Sequence, residues 1–229
     1  MSAAFIQVAG ISSLDEATML VEEGVTHLGY PLVLDHHQED LSVEQARRVV
    51  RHLDGQATHV VITYLTQWDE ILRLVREVGA TVCQLHAPVT LETLKQLADA
   101  APDLGIIKSV VFHREEAELT IARALECSPW IDHFITDTYD PSTGASGATG
   151  QTHDWDLSKA LVSRSPRPVV LAGGLTPVNV AEAIRAAAPA GVDVHTGVEN
   201  ADGFKDRGKV RAFVHAARDA LGPSPRADV

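Results

Sequence analysis

Short apolar runs alternate along this chain with longer amphipathic ones, and the alternation repeats from the first residues to the last. Runs of four to seven apolar residues read as strands, and segments with apolar positions three and four apart read as helices. Phe5 to Ala9 is the first strand. Ser12 and Ser13 then offer a cap for a helix through about Glu23, with Glu16 three residues past Ser13 as in a capping box and Gly24 as its stop. His27 to Tyr30 is the second strand, followed by a helix capped by Ser42 and running to His52. His59 to Leu65 and Trp68 to Val78 make the third unit, which Gly79 ends. Thr81 to Leu85 pairs with Thr90 to Ala100, and Ile106 to Val111 with Glu115 to Leu125. Ile131 to Thr136 leads through a long glycine- and threonine-rich loop to a helix over about Asp156 to Val162. Pro168 to Ala172 with Pro177 to Ala187, and Val192 to His195 with Lys209 to Ala220, complete the series.

Eight strands that are apolar on both faces and alternate with eight helices predict an α/β fold, a single (β/α)8 TIM barrel. The competing architecture is a doubly wound open sheet. That arrangement usually carries a glycine fingerprint after the first strand, and Gly10-Ile11-Ser12 is a poor match to it. Residues 1–222 are expected to form the one domain, and 223–229, polar and proline-containing, a loose tail.

Composition narrows the function. The 229 residues are 45% hydrophobic, enough for one sizeable core, and the net charge is −12. That charge opposes nonspecific nucleic-acid binding, and no Lys/Arg cluster offsets it locally. No run approaches the roughly eighteen apolar residues a membrane span needs. The start, MSAAFIQVAG, lacks a basic and a long apolar region, so no signal peptide is expected. Cys83 and Cys127 are too few for a disulfide framework. A cytoplasmic protein, monomer or homodimer, without nucleic-acid or membrane partners, is the expectation.

The strongest local signal is Leu171-Ala172-Gly173-Gly174-Leu175-Thr176-Pro177, an apolar strand ending in two glycines with a proline expected in the first helical turn. A similar end follows at Val192 to Glu199. Barrel enzymes work at the carboxyl ends of their strands and often hold phosphate after strands seven and eight. Gly173, Gly174 and Gly197 leave main-chain amides bare there, those near a short helix start at Val198 included, and Thr196 adds a hydroxyl, so these four residues are the expected phosphate-binding group. Gly144, Gly147 and Gly150 lie in the loop after strand six, where a lid or an ordinary flexible loop are the two readings.

Several of these segments together resemble phosphoribosylanthranilate isomerase: Gln84-Leu85-His86, Asp137-Thr138, Gly147 to Gly150 with Asp154-Trp155, Leu171 to Asn179, and Gly191 to Glu199 followed by Gly203 to Asp206. The resemblance runs from about Phe5 to Phe213. It implies a barrel that performs an Amadori rearrangement of a phosphorylated ribosylamine with no cofactor. It also implies a general acid at the end of strand six, which falls on Asp137. The family's general base is a cysteine within Lys-Ile-Cys-Gly; here that segment reads Gln7-Val8-Ala9-Gly10, and Ala9 cannot move a proton. The family's Ser-Pro-Arg after strand two is replaced by Leu34 to Asp40, with His36 and His37 in it.

The expected reaction is therefore an isomerisation of a small phosphorylated sugar derivative by proton transfer, with poor turnover of phosphoribosylanthranilate itself. Asp137, His36 and His37 are the candidate catalytic residues, since an imidazole titrates near working pH and can replace a lost base. Ala9, His86 and His195 are expected to line the substrate pocket. Cys83 shares the side of Leu85 and Cys127 follows an outer helix, so both read as filler. Lys108 is expected to look inward and pair with a carboxylate. Two alternatives stand beside this reading. One is a non-catalytic phosphate-ligand binder. The other is a metal-dependent hydrolase or epimerase whose ligands would come from His36, His86, Asp137 and His195.

Overall fold

A computed structural model describes residues 4–34, 40–112, 116–137 and 155–222. Within them the chain closes a parallel barrel in the order β1-β2-β3-β4-β5-β6-β7-β8, with β1 paired to β8. The strands are β1 (Phe5–Ala9), β2 (His27–Pro31), β3 (Thr58–Thr63), β4 (Val82–Leu85), β5 (Gly105–Val111), β6 (His133–Asp137), β7 (Val169–Leu171) and β8 (Gly191–Val194). The helices are α1 (Leu14–Glu22), α2 (Val43–His52), α3 (Trp68–Val78), α4 (Leu91–Ala100), α5 (Ala117–Glu126), α6 (Trp155–Arg164), α7 (Val180–Ala187) and α8 (Arg207–Leu221). No helix among the described residues is long and apolar enough to cross a membrane.

Alternation along each strand splits the core in two. Ile106 and Val110 belong to the large layer between strands and helices, whereas Ile107 joins Ala9, Val60, Ile62, Ile135, Val170 and Ala172 in the bore. Lys108 shares the outward face of Ile106 and Val110. Its ammonium donates to the carbonyls of Leu85 and Ser109 at 3.1 and 2.9 Å. The expected inward lysine beside a carboxylate is thus corrected: main-chain carbonyls in the outer layer hold it, and burial pushes its amine down to about 8. Cys83, on the same side as Leu85, is fully buried in that layer, and its thiol is pushed up to about 12.

Local chemistry sets the element ends. The Ser13 hydroxyl accepts the Glu16 amide, but Glu16 returns its carboxylate to Ser12 rather than to Ser13. Ser42 and Gln45 form the full reciprocal box at the start of α2. Gly79 ends α3 in the left-handed conformation at φ 84°. The helix after β7 starts later than expected. Thr176 and Asn179 bond to each other's amides through their side chains, which holds Pro177 in a turn ahead of α7.

Candidate active site

The carboxyl ends of the strands surround a cavity of about 270 Å³. Its walls include Ala9 from β1, Ile62 and Tyr64 from the β3 end, Gln84 from β4 and His86 just beyond it, Asp137 from β6, and Asp193 from β8. Gly173 and Gly174 beyond β7, and His195, Thr196 and Gly197 beyond β8, close one side. Of the residues singled out in the sequence, Ala9, His86, Asp137, Gly173, Gly174, His195, Thr196 and Gly197 therefore converge on one mouth. His36 and His37 lie outside the described residues, as do Gly144, Gly147 and Gly150.

Asp137 is the last residue of β6 and its side chain is only 5% exposed. The β6–β7 ladder stops at Ile135–Val170, and Thr136 continues the join with its side chain. Its hydroxyl donates to the Ala172 carbonyl at 3.2 Å and accepts the Ala172 amide at 2.9 Å. This bond fixes the start of the glycine loop beside Asp137. His86 Nδ1 lies 3.0 Å from Asp137 Oδ2. Behind His86, Gln84 Nε2 is 2.8 Å from the imidazole Nε2, and Gln7 Nε2 donates to Gln84 Oε1 at 2.8 Å. Gln7 faces Asp193 across the β1–β8 register. Burial pushes the Asp193 carboxyl up to about 6, against the hydrogen bond from Gln7.

The glycine loops are fitted to each other. Gly173 and Gly174 both have positive φ, 99° and 61°. Thr196–Val198 is a single 3-10 turn, so the short helix expected near Val198 begins two residues earlier, at Thr196. A β-carbon at Gly197 would overlap the Leu175 carbonyl, so only glycine lets the β8 turn pack against the β7 loop.

His195 stands where the β8 turn meets the end of β1. A β-carbon at Gly10 would overlap its imidazole, so the ring lies directly over Gly10, beside Ala9. Its Nε2 is 3.4 Å from Glu199 Oε1. The same oxygen receives Lys205 Nζ at 2.6 Å, and Lys205 also donates to the His195 carbonyl at 3.1 Å. The Lys205 amide is held by Glu16 at 2.8 Å, which ties this wall to α1.

Of the alternative metal-ligand set, His36 lies outside the described residues. Among the described residues no three His, Cys, Asp or Glu side chains are grouped to hold an ion. His86 is committed to Asp137 and His195 to Glu199. Gln7, Gln84, Tyr64, Asp193 and the Glu199–Lys205 pair were not singled out in the sequence as site residues. The signal for the first, second and fourth was present: each is a polar residue centred in an apolar strand, on the face turned from the helices.

Comparison with known proteins agrees with this architecture. Residues 6–216 match the family model described as N-(5'phosphoribosyl)anthranilate (PRA) isomerase. The chain is 37% identical over 215 residues to N-(5'-phosphoribosyl)anthranilate isomerase 2 of Methanosarcina mazei, covering 93% of this chain and 94% of that one. It is 41% identical over 179 residues to the isomerase of Haloferax volcanii, covering 78% and 76% of the two chains. The crystal structure of phosphoribosyl anthranilate isomerase from Thermotoga maritima superposes with a TM-score of 0.79 at 30% identity, over 94% of this chain and 98% of that one. A closed barrel, two glycine loops locked together and a buried carboxylate at the end of β6 accompany these matches, and the chain belongs to the N-(5'-phosphoribosyl)anthranilate isomerase family.

Proposed function

We propose that this protein isomerises an N-substituted phosphoribosylamine to the corresponding aminodeoxyribulose phosphate, with Asp137 as general acid and His195 as general base. The observation that carries this reading is the position of Asp137. It is a nearly enclosed carboxyl, oriented by His86, beside a loop whose start Thr136 fixes. The phosphate lies against the amides of Gly173, Gly174, Thr196 and Gly197, and this contact fixes the sugar over the mouth. Asp137 gives its proton to the ring oxygen as the bond from that oxygen to C1 breaks, leaving an iminium at C1. The base takes the C2 proton, and the resulting enolamine tautomerises to the ketone. No atom is gained or lost, and no cofactor enters.

His195 is favoured as base among the described residues because its ring lies over Gly10, next to Ala9, at the rim of the cavity. Glu199 anchors it, and Lys205 balances the Glu199 charge. Ala9 lines the cavity without a proton to exchange. With the Ser-Pro-Arg element also replaced, phosphoribosylanthranilate is turned over less efficiently here than a substrate whose amine carries no carboxylate.

The test is conversion of phosphoribosylanthranilate followed by NMR, in the wild type and Asp137→Asn, beside calorimetric binding of the reduced product analogue 1-(o-carboxyphenylamino)-1-deoxyribulose 5-phosphate. A solved relative is described in complex with that analogue, at a TM-score of 0.77 and 27% identity. Binding by both proteins, with turnover confined to the wild type, supports the proposal. Equal turnover by both overturns it, and binding with no turnover by either favours the non-catalytic binder.

A further inference from the structure

We propose that Glu16 of α1 is a positioning residue for His195, because its one carboxylate holds both of the loops that clasp the imidazole. The inference rests on the base role of His195 just given, but its own evidence is a set of hydrogen bonds that meet on one buried side chain.

Glu16 lies in the first turn of α1 and is only 8% exposed. Its Oε2 accepts the Ser12 amide at 2.7 Å and the Ser12 hydroxyl at 3.0 Å. Its Oε1 accepts the Lys205 amide at 2.8 Å. Ser12 stands two residues past Gly10, on the turn that lies under the His195 ring. Lys205 stands on the loop that carries His195 out from β8. Both main-chain partners can only donate, so two acceptor oxygens are required at this point, and a side-chain amide would set one donor against another. A buried carboxylate is tolerated when bonds of this kind satisfy it.

The loop that leans over β1 is braced within itself. Lys205 Nζ donates to the His195 carbonyl at 3.1 Å and to Glu199 Oε1 at 2.6 Å, and that oxygen lies 3.4 Å from His195 Nε2. Glu199 and Lys205 form an antiparallel bridge. The Asn200 amide donates to the Phe204 carbonyl at 2.8 Å, and the Asp206 amide to the Val198 carbonyl at 2.8 Å. A shift at Lys205 is therefore carried to both the main chain and the ring of His195. The end of β8 fixes where His195 leaves the barrel, and the Glu16 bond fixes how far the loop beyond it leans toward β1. With its other oxygen on Ser12, Glu16 sets the spacing between the imidazole and the backbone beneath it, and so the reach of Nε2 into the mouth.

Glu16→Gln keeps the size of the side chain but turns an NH2 toward one of the two amides. Proton NMR reads the result and requires no turnover, so it fails or succeeds independently of the base role. In the wild type the His195 ring protons, identified as the signals missing from His195→Gln, should show an Overhauser contact with the Gly10 α-protons. In Glu16→Gln this contact should be lost while the Gly173 and Gly174 amide signals keep their wild-type positions, which shows that the rest of the mouth is intact. Glu16→Asp keeps the charge but is shorter by one methylene and cannot span both loops; it should lose the contact too, and it serves if Glu16→Gln does not fold. A ring contact retained in the folded variant overturns the proposal. With phosphoribosylanthranilate, Glu16→Gln should lower kcat about 10- to 100-fold with KM within about twofold. Introduced into His195→Gln, the same substitution should change kcat by less than about twofold, because the group it acts through is gone. An equal loss in both backgrounds would mean that Glu16 does not act through His195, and overturns the proposal as well. If His195→Gln turns over at the wild-type rate, the base role falls, and the ring contact alone decides the positioning.

Discussion

The two ends of the barrel both hold half-buried histidines in different settings. At the floor, where the strands begin, Phe5 stacks on His27 with ring centroids 3.7 Å apart, and His133 tilts against the same ring at 5.3 Å. Neither imidazole has a carboxylate partner in an ion pair among the described residues. Burial holds His27 down to about 4 and lowers His133 as well, so both stay neutral plugs. At the mouth, His86 and His195 each face a carboxylate, at 3.0 and 3.4 Å. The residue type is the same, and what differs is the acid beside it.

The largest test of that contrast is at the mouth. Asp137→Asn should lower kcat about 10²- to 10⁴-fold, the usual contribution of a positioned general acid, while the product analogue still binds. Steady-state kinetics paired with calorimetry checks it, and a change under tenfold would remove Asp137 from the reaction. His195→Gln should lower kcat by a similar or smaller factor, again with binding intact.

The floor should respond in stability instead. Above pH 6.5 His27 is neutral in both states and contributes no pH dependence. As the pH falls from 6.5 to about 4, the unfolded chain takes a proton that the folded chain refuses, and stability drops by up to about 3 kcal/mol. Below about 4 the folded state protonates too, and the loss levels off. Urea melts at several pH values should show this slope, and His27→Phe should flatten it with kcat unchanged. An unaltered slope in that variant would place the acid sensitivity elsewhere.

The smallest expected effect is in the outer layer. Cys83→Ala removes one buried sulfur from the helix side of β4 and should cost about 1–2 kcal/mol by thermal melting. Turnover should be unaffected, because that thiol faces away from the bore. Loss of activity at constant stability would sharpen the comparison by giving the outer layer a part in catalysis.

The fold was legible because its signals are local. Trp68 to Val78 with Gly79 behind it carries an amphipathic period and a left-handed stop, and the helix has those bounds. Ser42 and Gln45 announce α2 in the same way. The start of α7 was not legible, because Thr176 and Asn179 compete with the helix for the same amides. The individual residues of the mouth were legible by strand end, but their partners were not. That Gln7, Gln84 and Asp193 meet depends on barrel closure, which pairs β1 with β8 and places β4 across the bore. Lys108 was misread for the converse reason: its charge drew attention before the period-two face it shares with Ile106 was applied.

The contact between Gly197 and the Leu175 carbonyl has a consequence for anyone re-engineering this scaffold. Because the turns after β7 and β8 pack with Gly197 against the Leu175 carbonyl, neither can be lengthened or exchanged by itself. A library that varies them separately will mostly sample mismatched pairs, whereas grafting both as one cassette preserves their joint shape.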